Sequence, residues 1–173
     1  MGLIHIYFGD GKGKTTAAMG LCARMAGCEK RVIISQFLKC GNSGEIKLLN
    51  KNECIDLLVC ESKRGFFYTL SDKEKEETIK EIRDLFTEVT KKASSLDIYL
   101  LFLFEILDVI NLGILTDDEV IAFLKAKPEN LEVVLTGRNP SDKLLEICDY
   151  ATEMKKIKHP YDKGQGARYG IEY

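Results

Sequence analysis

The sequence has no excess of basic residues. Its 25 Lys and Arg residues are balanced by 27 Asp and Glu residues, which gives a formal net charge of -2. Such a chain is not expected to be a general nucleic-acid-binding protein, because no basic surplus exists to displace counterions from a phosphate backbone.

Closely spaced cysteines and long apolar runs are also lacking. The 6 cysteines include no C-x-x-C pair, which favours reduced, buried thiols over a disulfide framework or a zinc site. No apolar run reaches the length of a membrane span, and no signal peptide is recognisable before the first apolar segment. We therefore expect a cytoplasmic protein that has no membrane partner.

A glycine-rich loop joins the first predicted strand, residues 3–8, to the first predicted helix, residues 15–27. Glycines allow successive backbone N–H groups to turn toward one point, and the helix N-terminus adds unpaired donors and a partial positive charge. A strand, a glycine loop that ends in Gly-Lys-Thr and a helix, in that order, predict a phosphate-binding loop. The candidate nucleotide-binding residues are Gly9, Asp10, Gly11, Lys12, Gly13, Lys14, Thr15 and Thr16.

Two side chains of this loop have specific expected roles. Lys14 would reach phosphate oxygens, and the Thr15 hydroxyl would coordinate Mg²⁺. The first glycine of the pattern G-x-x-x-x-G-K-[ST] falls on Phe8, so the match is imperfect. The alternative interpretation is a glycine-rich turn that binds no ligand.

Apolar strands alternate with helical segments along the chain. The predicted strands cover residues 3–8, 31–37, 55–60, 98–104, 131–135 and 150–154, and the predicted helices cover residues 15–27, 45–51, 71–92, 116–127 and a segment ending at residue 147. This alternation predicts an α/β fold with a parallel sheet and right-handed crossovers. No linker or repeat divides the chain, so residues 1–173 are predicted to form one domain. Ligands bind such sheets at the carboxyl ends of the strands.

Charged residues follow several predicted strands at this edge. Glu105 follows the most apolar strand, where P-loop proteins keep an acid for Mg²⁺ or an activated water, although it could also be an ordinary carboxylate at a helix start. Phe104 precedes Glu105, and its phenyl ring can neither coordinate Mg²⁺ nor accept a proton from a metal-bound water. Asp108 is either a substitute acid or a surface residue. Arg138 lies where a guanidinium can bind phosphate, or else forms a surface salt bridge. Lys39 is a weaker candidate of the same kind.

An aromatic pair, Phe66 and Tyr68, lies in the loop before the long charged helix. The two rings either pack on that helix as a hydrophobic staple or provide a platform for a flat ligand. Their pattern alone favours the packing role.

An ordered set of motifs extends over nearly the whole length of the chain. The set comprises the glycine loop, Gln36-Phe-Leu-Lys39, Gly65-Phe66 with Tyr68, Asn111-Leu-Gly113, Leu135-Thr-Gly-Arg138, and an ending from Lys158-His-Pro-Tyr-Asp-Lys-Gly164 to Gly170-Ile-Glu-Tyr173. In these motifs the chain resembles the P-loop type of ATP:corrinoid adenosyltransferase, whose members adenosylate cobalamin and its precursors. The resemblance implies a P-loop NTPase-like (RecA-like) fold, with a mainly parallel sheet flanked by helices in three layers.

The resemblance implies a group transfer rather than a hydrolysis. In the family a reduced Co(I) corrinoid, such as cob(I)alamin or cob(I)yrinic acid a,c-diamide, attacks the ribose C5′ of ATP and expels triphosphate. The candidate catalytic residues are Lys14, Glu105 and Arg138, and the candidate metal ligands are Thr15 and Glu105, because positive charge stabilises the leaving triphosphate. Family members hold ATP in the reverse sense from ordinary P-loop ATPases, and their pattern accepts the variant first glycine.

The resemblance also assigns roles at the corrinoid side of the site. Phe66 and Tyr68 match aromatic residues that crowd the lower face of the corrinoid and displace its axial ligand, which eases the reduction of Co(II). Lys39 belongs to the candidate cofactor-binding residues as a weaker phosphate-binding candidate than Arg138. The family further implies a homodimer, and a flavoprotein that reduces cobalt is a candidate partner.

The chain departs from the family pattern at three places. The family reads Leu-Asp-Glu where this chain has Leu103-Phe104-Glu105, and it usually has Trp at the place of Tyr68. The first strand begins at Leu3, so the N-terminal segment that many members fold over the corrinoid is expected to be missing. Two rivals therefore stay open: a protein that binds ATP or corrinoid without transfer, and a P-loop ATPase or small-molecule kinase. A GTPase is disfavoured because no Asn-Lys-x-Asp motif follows the later strands.

Overall fold

The sheet is the organising element of the fold. The computed structural model describes residues 1–38, 43–60, 67–95 and 97–172. In these residues six parallel strands form one sheet in the order β3-β2-β4-β5-β1-β6. The strands are β1 Ile4–Phe8, β2 Val32–Gln36, β3 Ile55–Val59, β4 Leu100–Phe104, β5 Glu132–Thr136 and β6 Tyr150–Glu153. All six were predicted, with bounds that differ by one or two residues, as strand ends usually do.

Helices connect the strands. They are α1 Lys14–Gly27, α2 Gly44–Leu49, α3 Asp72–Ser95, α4 Ile106–Asn111, α5 Asp117–Ala126 and α6 Asp142–Ile147, with short 3-10 helices at Phe67–Thr69 and Pro160–Lys163. The sequence analysis did not predict α4, which begins directly after β4. Helix α3 begins with a capping box, since Glu74 Oε2 accepts a hydrogen bond from the Ser71 N–H at 2.8 Å and Glu74 N–H donates to Ser71 Oγ at 3.4 Å.

The central strand β4 is buried on both faces. Phe102 and Phe104 point to the side covered by α1 and α2, whereas Leu101 and Leu103 point to the side covered by α3, α4 and α5. Every residue of this strand is at most 2% exposed, as its continuous apolar run indicates. Each large apolar side chain buried in this way contributes about 1.5–3 kcal/mol to folding. The strand therefore fixes the residues that follow it in a rigid frame.

Helix α1 covers the sheet with small and flexible side chains. Ala18, Met19, Cys22 and Ala26 are its buried residues, and Leu21 and Met25 pack partly buried against the same cluster. Burial raises the pKa of the Cys22 thiol to about 12, so this cysteine is an inert core group. Within the described part of the chain, no helix has the length and apolar character needed to cross a bilayer.

Candidate functional site

The glycine loop after β1 is held open by its backbone geometry. Gly9 and Gly13 have φ angles of 106° and 116°, which residues other than glycine rarely adopt. A Cβ on Gly11 would lie 2.5 Å from the Met154 carbonyl oxygen, and the Gly11 N–H donates to that same oxygen at 2.5 Å. Gly13 begins α1 without a side-chain cap, and the first turn of α1 contains no acidic residue. The N-terminus of a 14-residue helix is thus presented at the loop.

Lys14 lies inside this loop. Its Nζ donates to the Gly11 carbonyl oxygen at 2.9 Å. Desolvation by burial and then the Arg138 guanidinium lower the pKa of Lys14, whereas the carboxylates of Asp108, Asp10 and Glu105 act to raise it. These three carboxylates and the Arg138 guanidinium line the same cavity as the Lys14 side chain.

The acidic side of the site begins where β4 ends. Glu105 has a left-handed backbone, with φ 59° and ψ 25°, and this turn leads the chain from β4 into α4. Its N–H donates to Thr136 Oγ1 at 3.0 Å, so the end of β5 fixes its position. A left-handed backbone is uncommon for a residue other than glycine and is found often at functional sites. Phe104, in contrast, is 2% exposed and packs against Phe102, with ring centroids 5.5 Å apart.

Asp108 lines the site. From the sequence alone, a role as a substitute acid and a place on the surface were equally open for this residue. Desolvation by burial and then the Glu105 carboxylate raise the pKa of Asp108, while Arg138 and Lys14 lower it in part. A Cβ on Gly137 would lie 2.7 Å from Asp108 Oδ2, which shows how closely β5 and α4 approach each other. The only sequence signal for a place of Asp108 in the site is its spacing of three residues from Glu105, which corresponds to about one helical turn.

Arg138 follows β5 at the same edge. It is exposed, and its Nε lies 3.9 Å from Asp10 Oδ1 on the glycine loop. The Arg138 carbonyl oxygen accepts a hydrogen bond from Asn111 Nδ2 at 2.8 Å, so the end of α4 holds its backbone. The guanidinium therefore reaches toward the glycine loop from the end of β5.

The C-terminal segment forms another wall of the site. Lys12 Nζ donates to the Ile171 carbonyl oxygen at 3.1 Å and to Glu172 Oε1 at 2.9 Å. Arg168 also binds Glu172, with its NH2 nitrogen 3.0 Å from Oε1. These partners, first the Arg168 side chain and then Lys12, hold the pKa of Glu172 well below its usual range. The sequence analysis used this ending only as part of the family resemblance and assigned it no place in the site.

These elements enclose a cavity of about 600 Å³, a size that is typical of small-molecule sites. Its lining includes most of the predicted loop residues, Asp10, Gly11, Lys12, Gly13, Lys14, Thr15 and Thr16, together with Glu105 and Arg138. Gly9 is not among the lining residues and serves to turn the loop. Tyr68 is 74% exposed and does not line this cavity. Lys39 and Phe66 lie outside the described residues.

The cavity wall formed by β2 and α2 is polar but poor in protein hydrogen bonds. Gln36, at the end of β2, is 1% exposed, and its Oε1 has no hydrogen-bond partner. Ser43 Oγ, at the start of α2, is likewise buried without a partner. Both residues line the cavity, as does Glu45. Uncompensated buried polar atoms are rare in folded proteins.

The comparisons with known proteins agree with this architecture. The family model described as ATP:corrinoid adenosyltransferase BtuR/CobO/CobP matches residues 1–173. A corrinoid adenosyltransferase of Sinorhizobium sp is 36% identical over 180 residues, covering 99% of this chain and 80% of its own. The corrinoid adenosyltransferase of Escherichia coli (strain K12) is 30% identical over 173 residues, covering 99% of this chain and 86% of its own.

Among solved structures, the cytoplasmic domain of EssC matches with a TM-score of 0.52 at 16% identity. It covers 98% of this chain, which spans only 36% of that longer one, so the likeness concerns the fold alone. With the parallel sheet, this likeness confirms the predicted α/β, P-loop NTPase-like class. The family match, in turn, extends over the whole sequence, and the chain belongs to the ATP:corrinoid adenosyltransferase family.

Proposed function

We propose that the protein transfers the 5′-deoxyadenosyl group of ATP to a reduced Co(I) corrinoid and releases triphosphate. The observation that carries this proposal is the cavity in which the glycine loop, two carboxylates and an arginine converge. In the reaction, the electron pair of Co(I) forms the bond to C5′, and the C5′–O5′ bond breaks with its pair on the departing triphosphate. Cob(I)alamin and cob(I)yrinic acid a,c-diamide are the proposed corrinoid substrates.

The glycine loop would bind the triphosphate. The backbone N–H groups at the start of α1 would donate to an anion, and Lys14 and Arg138 bring two positive charges to the same cavity. Negative charge grows on the triphosphate as the C5′–O5′ bond breaks, so these fixed donors stabilise the transition state more than the ground state. Lys14 and Arg138 are therefore the proposed catalytic cations.

The donor set fits Mg²⁺. The hydroxyl of Thr15 and the carboxylates of Glu105 and Asp108 are hard oxygen donors that line the same cavity. No cluster of three or more metal-binding side chains occurs among the described residues, and Mg²⁺ bound with phosphates needs only one or two carboxylates. Thr15 and Glu105 would hold the ion, and Asp108 would supply a second carboxylate beside them. When bound, Mg²⁺ neutralises charge on the phosphate oxygens.

The corrinoid would approach from the open side of the cavity. Tyr68 lies in the 3-10 helix Phe67–Thr69 with 74% of its surface exposed, so its ring is accessible to a flat ligand. We propose that Tyr68 and Phe66 contact the lower face of the corrinoid. Tyr is smaller than the usual Trp, so it would displace the axial ligand less completely.

The proposal extends to the setting of the reaction. We propose a homodimer in the cytoplasm and a flavoprotein that supplies the electron for Co(I). Several exposed apolar side chains after β6 would suit a subunit contact, namely Ile157, Tyr161, Tyr169 and Ile171.

The decisive test is an anaerobic assay with chemically reduced corrinoid, ATP and Mg²⁺. We expect the absorption spectrum of a Co–C bond together with one equivalent of triphosphate. A Lys14→Gln variant, in which the amide replaces the charge, should lose most of this activity. Release of orthophosphate or ADP would identify an ATPase or kinase instead, and ATP binding without a Co–C bond would identify a non-catalytic binding protein.

A further inference from the structure

Gln36 has a polar group that the protein itself does not satisfy. The residue lies at the carboxyl end of β2, beside Phe104 in the sheet register. It is 1% exposed, its Oε1 has no hydrogen-bond partner, and it lines the cavity. A buried amide oxygen without a protein donor is costly unless solvent or a ligand supplies the hydrogen bond. A donor group that enters from the cavity would remove this cost.

A second orphaned oxygen lies on the same wall. Ser43 Oγ is buried without a hydrogen-bond partner, and both Ser43 and Glu45 line the cavity with Gln36. An amide oxygen and a carboxylate can only accept hydrogen bonds, and a hydroxyl can accept as well as donate. This wall therefore suits a ligand that carries hydroxyl donors, and its described residues supply no cation to the cavity.

The opposite side of the cavity contains its cations. Lys12, Lys14 and Arg138 lie there with the N-terminus of α1, beside the carboxylates of Asp10, Glu105 and Asp108. The strands β4 and β5 lie between β1 and β2, so the two sides are separated by three strand spacings, or about 14 Å. That separation exceeds the length of a triphosphate chain and reaches the sugar of a nucleotide whose phosphates lie on the glycine loop.

We infer that Gln36 and Ser43 form the receptor for the ribose hydroxyls of the bound nucleotide. The polarity of the cavity then fixes the direction in which ATP lies: phosphates over the glycine loop and sugar against the wall of β2 and α2. The C5′ carbon, which joins the two parts, is held between them. This inference rests on the proposed function, because it takes ATP as the ligand, and it assigns Gln36 and Ser43 as positioning residues.

The test measures equilibrium binding of ATP, 2′,3′-dideoxy-ATP and tripolyphosphate in Mg²⁺ by calorimetry. Met has nearly the shape of Gln without the polar atoms, so the variant is Gln36→Met. We expect the wild type to prefer ATP over the dideoxy analogue by about five- to 100-fold, the effect of two hydrogen bonds. Gln36→Met should lower this preference by about two- to tenfold, the effect of one hydrogen bond, with unchanged affinity for the dideoxy analogue and for tripolyphosphate. Ser43→Ala should lower it in the same way.

Protein stability supplies a second readout. Removing an unsatisfied buried oxygen should leave the midpoint of thermal unfolding of Gln36→Met equal to or above that of the wild type. The matched control is Ser35→Ala on the same strand, because Ser35 Oγ is buried but donates to the Phe102 carbonyl oxygen at 2.9 Å. This control should lower the midpoint and keep the preference for ATP.

Three outcomes would overturn the inference. One is a wild type that binds ATP and the dideoxy analogue equally. Another is an equal loss of affinity for all three ligands in Gln36→Met, which would indicate contact with metal-bound water or a structural role. The third is an unchanged preference in Gln36→Met. Co–C bond formation by the same wild-type preparation is scored separately, so a failure of the proposed function is distinguishable from a failure of this receptor.

Discussion

The substitution Phe104→Asp tests how this chain manages without an acid at the end of β4. Phe104 is 2% exposed, packs on Phe102 in the core beneath α1, and also lines the cavity. An Asp side chain at this position would lie next to Glu105 in the chain and next to Gln36 in the sheet. It would thus restore the Leu-Asp-Glu order at the cost of an aromatic core residue.

The expected cost in stability is large. Truncating a buried Phe to Ala removes about 3–5 kcal/mol from the free energy of unfolding, and Asp also requires a solvated or paired carboxylate. Asn has nearly the same shape as Asp without the charge, so Phe104→Asn is the matched control. Both variants should lose several kcal/mol in urea unfolding without ligand, and Asp should lose more than Asn.

When Mg²⁺ and ATP are present, we expect the less stable Phe104→Asp variant to bind the metal better than Phe104→Asn. A carboxylate near the ion favours metal binding, so Phe104→Asp should reach half-maximal activity at a lower Mg²⁺ concentration than Phe104→Asn and the wild type. Titration with Mn²⁺ followed by its electron paramagnetic resonance signal measures the same affinity without turnover. If Asp and Asn require equal Mg²⁺, the reasoning is wrong, and Glu105 with Asp108 already provides the charge that the metal needs.

Three further predictions concern the glycine loop, the C-terminal segment and a helix cap. Lys14→Met should weaken tripolyphosphate binding about 10- to 100-fold in calorimetry, the effect of one charge-assisted hydrogen bond, and an unchanged affinity would contradict its role. Glu172→Gln should tighten tripolyphosphate binding by releasing Lys12, whereas weaker binding would mean that Glu172 positions Lys12. Thr116→Ala should lower the free energy of unfolding by about 0.5–2 kcal/mol. Hydrogen bonds from Thr116 lower the pKa of Glu119 below 4.5. The difference in unfolding free energy between the wild type and Thr116→Ala should therefore shrink as the pH falls from 4.5 through that lowered pKa. A pH-independent difference would show that the Glu119 carboxylate does not contribute to the cap.

The strands and the long helices could be predicted because their signals are local. The strand β4 is apolar at every position, and α3 repeats apolar residues at helical spacing with Ser71 and Glu74 at its start. Helix α4 was missed because the apolar residues of β4 continue through it, from Ile106 to Ile110. Its start depends on the left-handed backbone of Glu105, which no propensity for Glu would predict.

The sequence could predict only those site residues that lie within a single local motif. The glycine loop and Glu105 follow directly from motifs at strand ends, and the structure brings them into one cavity. The contact of Lys12 with Ile171 joins residues 159 positions apart, so no local pattern contains it. Gln36 was visible as part of a motif, but its unsatisfied oxygen is a property of the packed structure.

Both lysines of the loop already bind oxygen atoms of the protein. Lys14 donates to the Gly11 carbonyl oxygen, and Lys12 binds the Ile171 carbonyl oxygen and the Glu172 carboxylate. If these lysines bind a triphosphate as proposed, it would compete with these partners or share the ammonium groups with them, and its measured affinity would reflect both sets of contacts. The contact at Gly11 joins two residues of the same loop, whereas the contact at Glu172 joins the C-terminal segment to the loop. On the proposed binding mode, nucleotide binding and the position of that segment would be coupled through Lys12, which is why Glu172→Gln is informative even though the residue is remote in sequence.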